Sequence, residues 1–223
     1  MIYNWWLSRK AVRQANMNRS QIEAGIQTQQ PDGWVSSMGS SKLVRPETRP
    51  EDLPGEGREA AVMLLFFPSV RDETVHTVLT RRRDDLADHP GQISLPGGSR
   101  DKGETLEQTA LREVEEEIGV DRSRVEMLGK LNSIYIPPSD FTVTPYVGWL
   151  ESEPKFTLQA DEVAELICFP LTDLLDSSIR KYSSVNSDLK HRDVPWFSIQ
   201  NHQVWGATAI ILDDFVTRLQ SVA

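Results

Sequence analysis

The stretch GSRDKGETLEQTALREVEEEIGV, residues 98–120, carries the strongest pattern in this sequence. On a helical wheel Glu113, Glu116 and Glu117 fall within about 100° of one another, so three carboxylates share one stripe. At roughly 6 Å and an effective dielectric near 20, each pair of like charges costs about 3 kcal/mol. A hard divalent cation such as Mg²⁺ or Mn²⁺ reverses that sign, because it takes oxygen ligands and shares its shell with phosphates. The spacing therefore favours metal-assisted chemistry on a phosphate over a solvated acidic face.

The residues around these glutamates predict a helix from about 105 to 118. It ends at Gly119, a residue type that suits the left-handed backbone found after a helix C-terminus. Glu115 points away from the acidic stripe and is predicted to face solvent. The apolar side chains share a neighbouring face that is predicted to meet the core: Leu111, Val114 and Ile118.

Apolar runs and period-two alternation predict strands on both sides of this helix. They lie at residues 60–67, 74–80, 126–136, 142–150, 164–169, 196–199 and 203–205. The sequence LPGG at 95–98 predicts a turn, and residues 207–219 predict a closing helix with Ile211, Phe215 and Leu219 on one face. Strands around two well-marked helices, without a regular βαβ repeat, indicate a mixed α/β or α+β sandwich.

The composition is that of a globular protein, with 39% hydrophobic and 26% charged residues among 223. With 24 basic and 33 acidic residues, the formal charge of −9 disfavours a nucleic-acid partner. No run approaches the roughly 18 apolar residues of a spanning helix, so no membrane partner is expected. Cys168 is the single cysteine, which excludes an intramolecular disulfide, and it is predicted to pack in the core.

The first 58 residues differ from the rest. They hold eight Lys/Arg and six Asp/Glu, a net charge of +2, which leaves 16 − 27 = −11 for residues 59–223. Polar residues dominate positions 14–30, and Pro, Gly, Arg and Glu crowd positions 45–58, without a clear helix or strand period. We expect a variable extension and linker at 1–58, the catalytic domain at 59–223, and a cytoplasmic location in preference to a mitochondrial presequence.

Residues 98–120 also fit a longer pattern, Gly-x5-Glu-x7-Arg-Glu-U-x-Glu-Glu-x-Gly-U with U aliphatic, at every fixed position. A chance match somewhere in the chain is on the order of 10⁻⁷. This string resembles the box of the Nudix hydrolases, which cleave nucleoside diphosphates linked to another moiety. The resemblance implies an α/β/α sandwich with a mixed sheet, in which the box forms a loop–helix–loop.

The same resemblance implies roles within the box. Glu113, Glu116 and Glu117 would hold the divalent metals, and Arg112 would orient these glutamates by ion pairing. Glu104 would either pair with Arg112 or approach a metal through water.

Residues 79–98, LTRRRDDLADHPGQISLPGG, resemble the signature that precedes the box in the coenzyme A diphosphatase subfamily. The matching positions are Thr80, Arg81 or Arg83, Leu86, His89, Gly91, Gln92 and the Pro-Gly-Gly at 96–98. Ala87 and Leu95 depart from the usual Arg and Phe. Segments within residues 134–150, 161–165, 169–171 and 205–212 resemble the same subfamily.

This second resemblance implies hydrolysis of the diphosphate in coenzyme A or acyl-CoA, giving 3′,5′-ADP and (acyl-)4′-phosphopantetheine. A diphosphatase acting on ADP-ribose or another nucleoside diphosphate derivative is the alternative. A non-catalytic, nucleotide-sensing Nudix module is a second alternative, although such modules often have a degraded box and this one is intact. The resemblance also allows a homodimer.

Three groups are candidates for work at the phosphate. Glu162 is the candidate general base, from a loop where relatives often place a late acidic residue, with Glu116 as its competitor; a surface acid is the plain alternative. The turn at 96–98 is expected to bring backbone close to a metal, so the Gly98 carbonyl is a candidate ligand.

Four groups are candidates for binding the substrate. Arg81 and Arg83 project to one side of a strand end, where they either grip a phosphate or are solvated. His89 either bonds the substrate or holds the Pro-Gly turn that follows it, and Gln92 is a candidate as a matched position. Two tryptophans are expected in the core, with stacking on adenine as the alternative: Trp196 and Trp205.

Overall fold

A computed structural model describes residues 17–28, 58–86, 89–136, 139–187 and 190–222. The helices are α1 (Arg19–Gln27), α2 (Leu106–Ile118), α3 (Leu171–Leu175) and α4 (Gly206–Val222). The strands are β1 (Arg58–Pro68), β2 (Val75–Arg82), β3 (Ile93–Ser94), β4 (Gly97–Ser99), β5 (Glu126–Lys130), β6 (Ile134–Ile136), β7 (Phe141–Trp149), β8 (Val163–Pro170), β9 (Arg180–Ser187), β10 (Lys190–Ile199) and β11 (His202–Trp205).

The central sheet is mixed, as expected. β1 runs parallel to β7 and antiparallel to β2 and β4, while β5 and β6 pair antiparallel with β7. β8 pairs antiparallel with the whole length of β2. A second, antiparallel sheet has the order β11–β10–β9.

β1 has buried side chains on both faces of the central sheet, so it separates two cores. Its residues 61, 63, 65 and 67 face α2 and pack with Val114 and Ile118. The opposite face is covered by α4 and α1, and there Phe66 stacks on Phe215 with ring centroids 5.0 Å apart. Helices on both faces of one sheet give the α/β/α sandwich, which confirms the predicted fold class.

The predicted strands and both predicted helices are present, with several differences. The strand predicted at 126–136 is two strands, and the turn predicted at 95–98 ends in a strand, because Gly97–Ser99 pairs with β1. The closing helix places Ile211, Phe215 and Leu219 in the core. Strand β9 and the first part of β10 were not predicted.

The prediction of an irregular segment at 14–30 is wrong for α1. Asn18 caps this helix, because its side chain accepts from the Gln21 N–H at 3.1 Å while the Gln21 side chain accepts from the Asn18 N–H at 3.0 Å. Ile22 is fully buried. A nine-residue helix has little stability alone, so packing on α4 and β5 explains why the polar sequence forms it.

The tryptophans and the cysteine differ in burial. Trp196 and Trp205 face each other across β10 and β11; Trp196 is half-buried, but Trp205 is 46% exposed, so the expectation of a core position is wrong for it. Cys168 is half-buried against the α2 side of the sheet. Within the described residues, no helix combines the length and the apolar character that crossing a bilayer requires.

Candidate active site

Local signals fix both ends of α2. The Thr105 hydroxyl accepts from the Gln108 N–H at 3.2 Å, and the Gln108 side chain accepts from the Thr105 N–H at 2.8 Å, which closes a capping box. Gly119 ends the helix in the left-handed conformation with φ 70°. Because Val114 and Ile118 are fully buried, the rotation of the helix is set, and the acidic stripe lies beside β4.

Two glycines of β4 let the backbone approach α2 and β1. A Cβ atom on Gly98 would lie 2.4 Å from Oε1 of Glu113, and one on Gly97 would lie 2.4 Å from the Ala61 carbonyl oxygen. The Gly97 N–H also donates to the Glu117 carboxylate. Gly98 therefore lies directly against the acidic stripe, while its carbonyl as a metal ligand stays a prediction.

Arg112 binds two of the three stripe glutamates. Its Nη1 donates to Oε1 of Glu113 and to Oε2 of Glu116, both at 2.8 Å, and its Nε donates to Oε1 of Glu104 at 2.9 Å. The hydrogen bond to Glu104 is the main cause that raises the pKa of Arg112, and the same bond lowers the pKa of Glu104. Of the two roles expected for Glu104, the pairing with Arg112 is present.

Glu117 is the most buried glutamate of the stripe, with 6% exposed. Burial raises its pKa to about 8, and the negative charges of Glu113 and Glu162 add to that rise. Burial also raises the pKa of Glu113, against the opposing charge of Arg112. Glu162 thus lies close enough to act on both carboxylates electrostatically, which brings the sequence-predicted base to the predicted metal ligands.

The donor set of the acidic stripe fits a hard divalent cation. Carboxylates are the ligands that Mg²⁺ and Mn²⁺ prefer, and the raised pKa of Glu117 comes first from burial and then from the negative charges of Glu113 and Glu162, which a cation would offset. As the side chains stand in the described ranges, no three Asp, Glu, His or Cys residues converge on one point. Arg112 holds Glu113 and Glu116 instead, so cation binding by these two would require them to part from its guanidinium.

The three consecutive arginines at the end of β2 have different partners. Nη2 of Arg81 donates to both carboxylate oxygens of Asp84 at 2.6 and 2.7 Å. Nε and Nη2 of Arg83 donate to the two oxygens of Asp85 at 2.8 and 2.6 Å. Substrate contact by Arg81 or Arg83 stays a prediction, and either would first have to part from its aspartate.

Arg82 is the arginine that faces the glutamates, and sequence reasoning missed it. Its Nη1 lies 3.8 Å from Oε2 of Glu162, and its positive charge opposes the rise in the pKa of Glu117. Two-residue alternation counted from Thr80, whose Oγ1 lies 3.5 Å from Oε2 of Glu117, was the signal that could have found it.

His89 and Gln92 hold a turn against the end of β2. His89 has φ 54°, and its carbonyl accepts from the Gln92 N–H at 3.2 Å, so its backbone closes the Pro-Gly turn. The Gln92 carbonyl accepts from the Arg82 N–H at 2.9 Å. Substrate contact by either side chain stays a prediction. Leu95 is buried, and Ala87 lies outside the described residues.

A capped helix that presents carboxylates beside a close-packed glycine strand offers the oxygen ligands that a metal-dependent hydrolase of phosphoric anhydrides needs. The sequence family described as the NUDIX domain matches residues 43–189 of this chain. "Uncharacterized Nudix hydrolase NudL" of Pectobacterium atrosepticum is 36% identical over 171 residues, covering 73% of this chain and 83% of that protein. "Nudix hydrolase 3" of Caenorhabditis elegans is 32% identical over 202 residues, covering 83% and 81%.

Among solved structures, the MutT/nudix family protein from Enterococcus faecalis superposes with a TM-score of 0.50 at 17% identity. That match covers 75% of this chain and 62% of the other, and it supports the fold alone. Taken with the two relatives, the family match shows that this chain belongs to the Nudix family. It is a hydrolase that acts on phosphoric anhydrides, in a family whose members generally require divalent cations.

Proposed function

We propose that this enzyme hydrolyses the diphosphate of coenzyme A or acyl-CoA with Mg²⁺ or Mn²⁺. Water adds across the phosphoric anhydride, which yields 3′,5′-ADP and (acyl-)4′-phosphopantetheine. The likeness of residues 79–98 to the coenzyme A diphosphatase signature supports the choice of substrate. The observation that carries the chemistry is the position of Glu162, whose Oε2 lies 3.8 Å from Nη1 of Arg82 at the end of β2 and whose negative charge contributes to the raised pKa of Glu113 and Glu117.

The residues divide the work as follows. Glu113, Glu116 and Glu117 would hold the cation, and the Gly98 carbonyl would be a further ligand. When bound, the cation neutralises phosphate oxygens and lowers the pKa of attacking water. Glu162 takes the proton from that water, with Glu116 as the competing base. Arg112 orients Glu113 and Glu116 before the cation arrives.

Substrate phosphates need cationic partners in a domain with a net charge of −11. Arg82 lies beside Glu162, with its Nη1 3.8 Å from Oε2 of that residue, and we assign it the first phosphate contact. Arg81, Arg83, His89 and Gln92 remain proposed contacts around the same strand end. The nucleotide substrate, the absence of a nucleic-acid or membrane partner, and a homodimer belong to this proposal.

A substrate panel tests the reaction. Purified protein with Mg²⁺ or Mn²⁺ is assayed against coenzyme A, ADP-ribose, NADH and dNTPs, and coenzyme A is expected to be cleaved most efficiently. Cleavage of ADP-ribose with coenzyme A untouched would replace the proposed substrate by the alternative.

A matched pair of variants tests the base. Glu162→Gln is expected to lower kcat by roughly 10²–10⁴, because that is the usual contribution of general base catalysis. Glu115→Gln is the control, since Glu115 lies on α2 but binds Arg122, with its Oε2 2.6 Å from Nε of that residue. A loss below about tenfold for Glu162→Gln would remove Glu162 from the reaction.

A further inference from the structure

The segment that carries Glu162, residues 157–162, is tied to the C-terminus of α2. The Thr157 N–H donates to the Ile118 carbonyl at 2.9 Å, and the Gln159 N–H donates to the Glu117 carbonyl at 2.9 Å. The Glu162 N–H returns to the Gln159 carbonyl at 3.0 Å. These bonds fix the start of the segment relative to the acidic stripe.

Arg83 fixes the other end of the same segment. Its backbone N–H donates to the Glu162 carbonyl at 3.0 Å, and its Nη1 donates to the Ala160 carbonyl at 2.8 Å. Asp85 binds Nε and Nη2 of the same guanidinium, so the planar group is held while it bonds the segment. One residue therefore contacts both Ala160 and Glu162 through separate backbone carbonyls.

We propose that Arg83 is a positioning residue, which holds the 157–162 segment so that the Glu162 carboxylate stays over Glu113 and Glu117. This inference rests on the proposed role of Glu162 as the base. The positioning role is an alternative to the proposed substrate contact of Arg83, and the bonds of its guanidinium to the Ala160 carbonyl and to Asp85 favour positioning. A small displacement of a catalytic group is enough to lower a rate, so the effect belongs in kcat.

The variant Arg83→Gln removes the guanidinium, with its bonds to Asp85 and Ala160, and keeps a polar side chain. We expect kcat to fall roughly 10- to 100-fold and KM to change less than about threefold, on whichever substrate of the panel the wild type cleaves. Amide hydrogen exchange at residues 162 and 163 is expected to rise at least about tenfold, because both N–H groups bond the Gln159 carbonyl across the segment. Arg122→Gln is the matched control, as Arg122 pairs with Glu115.

A double variant separates positioning from substrate binding. If Arg83 acts through Glu162, Arg83→Gln adds little to Glu162→Gln, and the two losses are strongly non-additive. A phosphate contact would instead raise KM, give additive losses and leave exchange unchanged. Unchanged exchange in Arg83→Gln would overturn the proposal whatever the kinetics.

If Glu162 is not the general base, the same experiment gives a different result. Faster exchange with unchanged kcat would support the positioning by Arg83 and would show that Glu162 is not the base. If Arg83→Gln does not fold, Asp85→Asn provides the same test, since it loosens the guanidinium from the opposite side. Exchange should then rise and kcat should fall, both by less than in Arg83→Gln. Unchanged exchange would again contradict the proposal.

Discussion

Two acidic residues on the two long helices have similar burial and opposite surroundings. Glu117 on α2 is 6% exposed, and Asp214 on α4 is 4% exposed. Oδ1 of Asp214 accepts from Nε of Arg218 at 2.8 Å, and the same guanidinium donates to the Thr28 carbonyl at 2.6 Å. Glu117 instead lies among other carboxylates, where burial and like charges raise its pKa to about 8.

The difference separates a charge that serves the fold from a charge that serves the reaction. A buried carboxylate with a bound guanidinium is compensated, and removing one partner leaves the other charged and buried. A buried carboxylate among like charges destabilises the metal-free protein, so its presence needs another explanation. The cation proposed to bind at Glu117 would supply that explanation, whereas Asp214 is already compensated by Arg218.

The largest expected effect is on activity at Glu117. Glu117→Gln is expected to lower the metal-dependent kcat/KM by roughly 10²–10⁴, because metal stabilisation of a transition state is worth several kcal/mol. The thermal midpoint of the metal-free protein should stay unchanged or rise, since Gln is neutral without the proton that Glu117 must take up on folding. Steady-state kinetics and calorimetry measure both. Full activity of the variant, or a large fall in its thermal midpoint, would show that Glu117 stabilises the fold, as Asp214 is expected to do.

Asp214 is expected to show the reverse behaviour. Asp214→Ala leaves Arg218 charged and buried, and breaking such a pair costs about 3–5 kcal/mol of unfolding free energy. Because Asp214 lies on the α4 side of the sheet, kcat of the folded enzyme should not change. Glu23→Ala is the control: it removes an i,i+4 partner of Arg19 at the surface and should cost less than about 1 kcal/mol. Urea unfolding that shows equal costs would contradict this contrast.

Local signals explain why most of the fold could be predicted. α2 has its cap, its glycine stop and its apolar face within one stretch, and β1 is a continuous apolar run. α1 has a capping box at Asn18 and Gln21 but no glycine stop, and the contacts that hold it come from Ile22 in the core and from Arg218 near the other end of the chain. No pattern in residues 14–30 reports those contacts.

The part of the candidate site that could be predicted is the part set by the spacing of residues along α2. The stripe of Glu113, Glu116 and Glu117 follows from positions on one helix, whereas the pairing of Arg112 with Glu113 and Glu116 was expected only from the resemblance of the box. The different surroundings of the three consecutive arginines do not follow from spacing. They depend on which side of β2 each arginine faces, and on Asp84 and Asp85, which bind Arg81 and Arg83. The approach of Glu162 also depends on tertiary structure, since it comes from a segment 45 positions beyond Glu117 (162 − 117).

The packing of α1 on the α4 side of the sheet is expected to have a smaller effect, on the free energy of unfolding. Ile22→Ala is expected to lower the free energy of unfolding by about 2–4 kcal/mol, as for other buried Ile-to-Ala changes, without altering kcat. Gln27→Ala on the exposed side of the same helix should change it by less than about 0.5 kcal/mol. Equal stability of the two variants would show that α1 contributes nothing to the catalytic domain.

Counted per pH unit, the smallest expected effect is a pH dependence of stability that comes mainly from the raised pKa of Glu117, to which the raised pKa of Glu113 adds with the same sign. The Glu117 carboxyl ionises near 4.5 in the unfolded chain and near 8 in the metal-free fold. Between these pH values the folded state keeps a proton that the unfolded state has lost, so stability falls as pH rises, by at most about 1.4 kcal/mol per pH unit. Glu117→Gln should remove most of this slope, and Glu115→Gln should keep it.

Unfolding in EDTA at pH 5 to 9 measures that slope, and the same series in Mg²⁺ should invert it. The cation needs the ionised carboxylate, so the stabilisation by Mg²⁺ must grow over the pH range in which the metal-free protein weakens. The inversion distinguishes a ligand from a carboxylate that is merely buried, because protonation alone predicts the slope in EDTA but no gain from the cation. A gain from Mg²⁺ that persists in Glu117→Gln would assign the cation to the other glutamates.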